Sequence, residues 1–247
     1  MSGSEKKHKL SYLIAALILI IVWNAVSCLI NSPAIPNPYV VFLSFTQQLK
    51  QDLPQHFLIS AYRVIYSILL ALSLAIPIGL SAHEKRIDSF VAPFIYLLYP
   101  IPHIVFLPLI ILFFGIGDLS KIILIALIVF FQILVTTRDA ARSVNEYYIY
   151  SLLSLGATKK DIYKHVVFPF VLPKILTALR IGVGTAIAVL FFAESFATNE
   201  GLGHLIVDSW DRADYPSLYA GIVSMALLGF ILYSILEFVE KRVCRWM

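Results

Sequence analysis

Charge is scarce in this sequence. Asp, Glu, Lys and Arg make up only 14% of it, against about 25% in an average soluble domain. Cysteine is scarcer still: Cys28 and Cys244 stand at opposite ends of the 247 residues. That separation excludes a disulfide framework, and neither thiol has the close Cys or His neighbours that zinc ligation uses. Several chemical signatures are missing as well. There is no Walker A loop, no His-Glu-x-x-His and no Gly-x-Ser-x-Gly, so ATP hydrolysis, zinc-dependent proteolysis and serine-hydrolase chemistry have no visible seat. We therefore expect no catalytic residues, no metal and no cofactor bound by the chain. No internal repeat or low-complexity tract is present. The net charge of +4 does not point to nucleic acid, because the basic residues flank apolar runs and are not interleaved with exposed aromatics.

Apolar sequence is what fills the space. Hydrophobic residues make up 60% of the chain, and they fall into runs near the ~20 residues that cross a bilayer as a helix. The first run, 10–30, has 21 residues without a charge, longer than the apolar core of a cleaved signal peptide, roughly 7–15 residues. Further spans are expected at 57–80, 90–114, 121–137, 175–196 and 218–236. The 90–114 span carries Pro93, Pro100, Pro102 and Pro108 and should be kinked inside a bundle, where neighbours satisfy freed carbonyls. Gly182, Gly184, Ala186 and Ala188 give the fifth span a small-residue face for close helix contact. The expected fold is thus all-α: one polytopic membrane domain over 1–247 with six transmembrane helices.

Lys and Arg set the orientation. One side collects Lys6, Lys7, Lys9, Lys85, Arg86, Arg138, Arg142, Lys159, Lys160, Lys164, Lys174, Lys241, Arg242 and Arg245, and the other only Lys50, Lys121 and Arg212. Fourteen against three places both termini in the cytoplasm by the positive-inside rule. The stretch with Glu200, Asp208, Asp211 and Asp214 is then external. Trp23, Trp210 and Trp246 read as interfacial anchors.

The 138–174 loop is the one long polar-flanked segment between spans. From Glu146 it reads EYYIYSLLSLGATKKDIYKHVVFPFVLP. A helix over 147–155 should meet Gly156, where a positive φ or a close backbone approach is needed. Thr158, three residues before Asp161, suits a capping box that opens a second helix. Gly156, nine residues, then Val166-Val167-Phe168-Pro169 resembles the signature loop of ABC importer permeases: Glu-Ala-Ala, three residues, Gly, nine residues, Ile-x-Leu-Pro. The Glu-Ala-Ala positions differ, holding Tyr150, Ser151 and Leu152. Tyr62-Arg63-Val64, Pro77-Ile78-Gly79, Pro100-Ile101-Pro102, Pro108-Leu109, Phe114-Gly115-Ile116-Gly117, Leu179-Arg180, Ala193-Glu194-Ser195 and Gly201-Leu202-Gly203 resemble the nitrate, sulfonate, taurine and bicarbonate branch of that family.

The resemblance implies a permease subunit of an ATP-driven importer of a small solute, such as a sulfonate, taurine, nitrate or bicarbonate. It implies an ABC ATPase subunit as partner, with ATP bound there, a second permease copy as in a homodimer, and an extracytoplasmic binding protein. It implies a multi-pass chain in the cell membrane, embedded in the lipid bilayer. The loop becomes a cytoplasmic coupling helix, with Tyr150, Leu152, Leu153, Leu155, Gly156, Ala157, Thr158, Lys159 and Lys160 at the ATPase. The residue-level rival for this loop is an amphipathic helix lying on anionic lipid.

Charges inside spans cost at least ~2.5–3.5 kcal/mol at the bilayer centre, which makes them functional candidates by default. Arg63, Arg180 and Glu194 are such residues, and His103, amid the prolines, is the fourth candidate for the translocation path. Each has a plainer reading. Arg63 sits at the outer interface, Arg180 reaches the cytoplasmic surface along its own stem, Glu194 faces water, and His103 packs. An ion-coupled secondary carrier is the alternative function. It would place titratable groups and broken helices at the midplane, often in repeated halves. An intramembrane enzyme would need a catalytic constellation.

Overall fold

The structure is a computed structural model that describes residues 2–196 and 198–245, with side chains from residue 14 onward. It is helical throughout, and the described residues contain no strand. Helices satisfy their own backbone groups, which is what a chain of this composition needs in lipid. The order is α1 (Ser2–Ile30), α2 (Pro38–Gln48), α3 (Leu53–Ser81), α4 (Lys85–Leu98), α5 (Leu107–Phe114) and α6 (Asp118–Arg142). There follow α7 (Glu146–Ser154), α8 (Lys159–Ile162), α9 (Phe168–Glu194), α10 (Leu202–Asp211) and α11 (Tyr215–Val243).

Four stretches are long and apolar enough to cross a membrane: α3, α6, the continuous 36-residue run Lys159–Glu194, and α11. The 90–114 stretch, expected as one kinked span, is broken at its prolines. Its two halves, Lys85–Leu98 and His103–Phe114, meet at 78°. Pro100 and Pro102 withhold two N–H groups at the break, and a 3-10 turn, His103–Phe106, fills the corner. Counted as one span, this pair makes five. The first run belongs to a 29-residue helix, α1, whose described apolar part is Ile14–Ile30. Trp246 lies outside the described residues.

Expected boundaries shift for physical reasons. The loop expected over 138–174 is shorter, because α6 runs on to Arg142 and helix resumes at Lys159. Pro169 and Pro173 do not break the chain's path. Pro169 sits in the first turn of α9, where a missing N–H is tolerated. A π turn, Tyr163–Val167, precedes it and widens the helix where the ring would crowd the carbonyl four residues back.

The core lies between α3, α6 and α9. Half of the apolar window of α6 and of α9 is buried, against 17% in α11, so these two helices are central and α11 peripheral. Gly79 permits the tightest approach: a Cβ there would stand 2.7 Å from Thr137 Cβ on α6. The small-residue face of α9 is real in part. A Cβ on Gly182 would lie 3.6 Å from Gln132 Oε1 and 3.7 Å from Val129 Cγ1 of α6, and Ala186 is fully buried, but Gly184 opens onto free space. Residues 182 and 186 share a face at i, i+4, whereas 184 points away. α1 rests on the outer helices through Trp23, stacked 5.5 Å from Tyr219, and through Asn24, which accepts from Asn37 Nδ2 at 2.7 Å.

Candidate functional site

Two sites stand at opposite ends of the bundle. The first is the α7–α8 loop. Asn145 caps α7 by accepting from the Tyr147 N–H at 2.9 Å. The helix ends in a Schellman turn, with Gly156 N donating to Leu153 O at 3.0 Å and Ala157 N to Leu152 O at 3.1 Å. Gly156 carries the left-handed φ of +79° that this turn requires, and a Cβ there would meet nothing within 4 Å. Thr158 and Asp161 then form the capping box, the Thr158 N–H donating to the carboxylate at 2.9 Å.

The loop is anchored on one side and bare on the other. Ile149 and the buried Ile162 join the core, and Lys159, itself largely exposed, pairs with Glu84 at 3.1 Å. Tyr147, Tyr148, Tyr150 and Leu153 are exposed, and Leu155 most of all at 83%. Thr158, Lys159 and Lys160 are exposed too, Ala157 is half-buried, and Leu152 is half-buried, turned partly toward the protein.

At the far end, α3 and α10 converge on Glu194, the last residue of α9. Its carboxylate is fully buried. It accepts from Arg63 Nη1 at 2.7 Å, from Ser60 Oγ at 2.9 Å and from the Gly203 N–H at 2.9 Å. The reading in which Glu194 faces water is therefore corrected: every oxygen is held by protein. Arg63, 2% exposed, also donates from Nε to Asp118 Oδ1 at 2.8 Å and from Nη1 to Glu200 O at 3.0 Å. It is buried between the helices at this end of the bundle. The Gly201-Leu202-Gly203 turn exists because this carboxylate occupies the space: a Cβ on Gly201 would collide with the Glu194 carboxyl group, and one on Gly203 would lie 2.6 Å from Glu194 Cβ. The turn's other donors are used as well, Gly201 N to His56 Nδ1 at 3.0 Å and Leu202 N to Ser60 Oγ at 2.8 Å. A cavity of about 670 Å³ opens beside the cluster, lined by Arg63, Gly117, Asp118, Lys121, Asn199 and Glu200 among others.

The remaining candidates stand elsewhere. Arg180 does not reach for the cytoplasmic surface alone. Its Nε lies 3.2 Å from Glu240 of α11, a charge contact and not an aligned hydrogen bond, and its guanidinium covers the Tyr233 ring at 5.7 Å. His103 is buried and stacked 4.7 Å from Phe131, and no three described His, Cys, Asp or Glu residues group as a metal site. The sequence reading missed Asp118, Ser60 and Lys121. It also missed Asp88, which Arg138 Nε reaches at 2.5 Å and Arg142 at 3.0 Å. Asp88 and Asp118 each border an apolar run, where a charge reads as loop.

The comparisons agree with this architecture. The profile described as "Binding-protein-dependent transport system inner membrane component" matches residues 67–245. The chain is 29% identical over 248 residues to an aliphatic sulfonates transport permease protein, SsuC, of Bacillus subtilis, covering 99% of this chain and 90% of that one. It is 30% identical over 239 residues to the taurine transport system permease protein TauC of Escherichia coli, covering 94% and 87%. An inward-facing structure of the MetNI methionine ABC transporter superposes with a TM-score of 0.64 at 18% identity, over 78% of this chain and 94% of that one. The profile covers most of the chain, its curated relatives match nearly end to end, and the solved structure repeats its bundle: the chain belongs to the inner-membrane permeases of binding-protein-dependent ABC importers, in their sulfonate and taurine branch.

Proposed function

We propose that the chain forms, as two copies in the cell membrane, the translocation path of an importer for a small organic anion of the sulfonate or taurine kind. An external binding protein delivers the solute, and an ABC ATPase docked on the α7–α8 loop drives transport, ATP being bound there and not by this chain. The observation that carries this reading is the bare apolar face of α7. Tyr150, Leu153 and Leu155 stand 59%, 46% and 83% exposed on a loop whose backbone is fixed by two caps. A rigid, uncovered apolar helix beside basic residues suits insertion in a protein groove, with Lys160 at the rim. Both termini lie in the cytoplasm on this reading, and α1 and the bent α4–α5 pair bring the spans to six. The fourteen-to-three distribution of Lys and Arg supports that orientation.

Leu155→Asp tests the docking. It places a charge where an apolar contact is expected and touches no span. Membrane insertion should be unchanged, and co-purification of the cognate ATPase should fall at least about tenfold, the equivalent of ~1.4 kcal/mol. Equal recovery of the ATPase with parent and variant would remove the loop from the interface. On the outer side, Asp211 is the better probe of binding-protein encounter than Asp214, because Asp214 caps α11 by accepting from the Ser217 N–H at 3.2 Å.

A further inference from the structure

Hydrogen-bonding capacity at the outer cavity is unevenly spent. Two carboxylates around it are already held by protein: Glu194 behind it takes donors from Arg63, Ser60 and Gly203, and Asp118 Oδ1 takes two Arg63 nitrogens, at 2.8 and 2.6 Å. The donors are not. Lys121 is 3% exposed and lines the cavity, yet its ammonium makes one hydrogen bond, to Gly117 O at 3.1 Å. An ammonium carries three N–H groups, so two are left over, and no carboxylate lies within ion-pair distance of Lys121 among the described residues. The first turn of α6 adds to this. Gly117, its N-cap, supplies no side-chain cap, so backbone N–H groups and the positive end of a 25-residue helix sit at the cavity wall. The carboxylates that line the cavity, Asp118 and Glu200, make no ion pair with Lys121, so these donors still lack an acceptor.

We propose that the cavity is a subsite for the anionic head, sulfonate or carboxylate, of a small solute, with Lys121 and the start of α6 as its donors. For the solute to be the transported one rests on the importer reading; the anion subsite itself does not. The volume of about 670 Å³ holds a small organic anion with water around it. Asp118 and Glu200 at the rim face solvent, 48% exposed in the case of Asp118, and disfavour an anion that stops short of Lys121.

The test uses the full chain in open membrane fragments, with Cys28→Ser and Cys244→Ala and a reporter, Asn199→Cys, at the exposed rim. The probes are 2-sulfonatoethyl methanethiosulfonate, itself a small sulfonate, and the neutral methyl methanethiosulfonate. In the reporter chain the sulfonate reagent should lose roughly tenfold in rate when Lys121→Met is added, as the loss of one nearby charge entails, while the neutral reagent reacts equally in both. Unreactive methanesulfonate should slow the sulfonate reagent in the reporter chain and not in Lys121→Met, and Lys121→Arg should restore the protection. An unchanged ratio of the two reagents, or no slowing by methanesulfonate in the reporter chain itself, overturns the subsite. That second measurement stands even where Lys121→Met fails to fold. No ATPase or binding protein takes part, so a failed ATPase docking leaves this result independent.

Discussion

Glu194 holds too many protein contacts to be spare for a solute. Ser60, Arg63 and Gly203 use its oxygens, and its burial leaves Arg63 dependent on it. Removing one member of such a pair typically costs about 3–5 kcal/mol, because a charge is left buried without its partner. Glu194→Ala should therefore lower the unfolding temperature of the detergent-purified chain steeply. Asp118→Ala should do so far less, since Asp118 is 48% exposed and solvent-screened pairs contribute about 1 kcal/mol or below. Gly201→Ala should behave like Glu194→Ala, because its φ is +107° and its Cβ would collide with the carboxyl group. Equal melting of the Glu194 and Asp118 variants would contradict this ranking. The sequence made Arg63 and Glu194 visible, as charges within apolar runs. It did not make them a pair. They are 131 residues apart, and a single sequence holds no signal that joins such positions.

At the scale of the element, turns were more legible than helix ends. Gly156 and the Thr158–Asp161 box were readable because their chemistry is local: a left-handed φ needs glycine, and a cap needs an oxygen three residues before its partner. The course of the helix through Pro169 and Pro173 was not legible, for the opposite reason. A proline removes a hydrogen bond, but a π turn upstream lets the helix run on, and that accommodation has no sequence code. The 78° bend of α4 against α5 was foreshadowed only as a kink, since proline count does not fix an angle. The loop glycine offers a clean test. Gly156 has φ +79° and free space around its Cβ position, so substitution strains the backbone without a clash. Gly156→Val should cost about 1–2 kcal/mol of loop geometry, leaving insertion intact and weakening ATPase association. Gly156→Asn should come close to the parent, because Asn visits the left-handed region readily. If Val and Asn behave alike, backbone strain is not what the glycine relieves.

For the whole molecule, charge decides which way the bundle faces, and the two native cysteines nearly report it by themselves. Cys28 is exposed in the last turn of α1, on the side with few Lys and Arg. Cys244 is a poorer reporter than its position promises. It is 7% exposed, and burial pushes its thiol above the usual range, so little thiolate forms near neutral pH and labelling is slow from either side. An exposed position on the side proposed to be cytoplasmic is needed, and Lys160 in the α7–α8 loop supplies one. In right-side-out vesicles, an impermeant maleimide should label Cys28 directly. In a Cys28→Ser background it should reach Lys160→Cys only after the membrane is permeabilised. Removing one of fourteen charges leaves the bias intact, so the substitution does not itself reorient the chain. Labelling of Lys160→Cys from outside would place the α7–α8 loop beyond the reach of any cytoplasmic ATPase, and the docking reading would fall with the orientation.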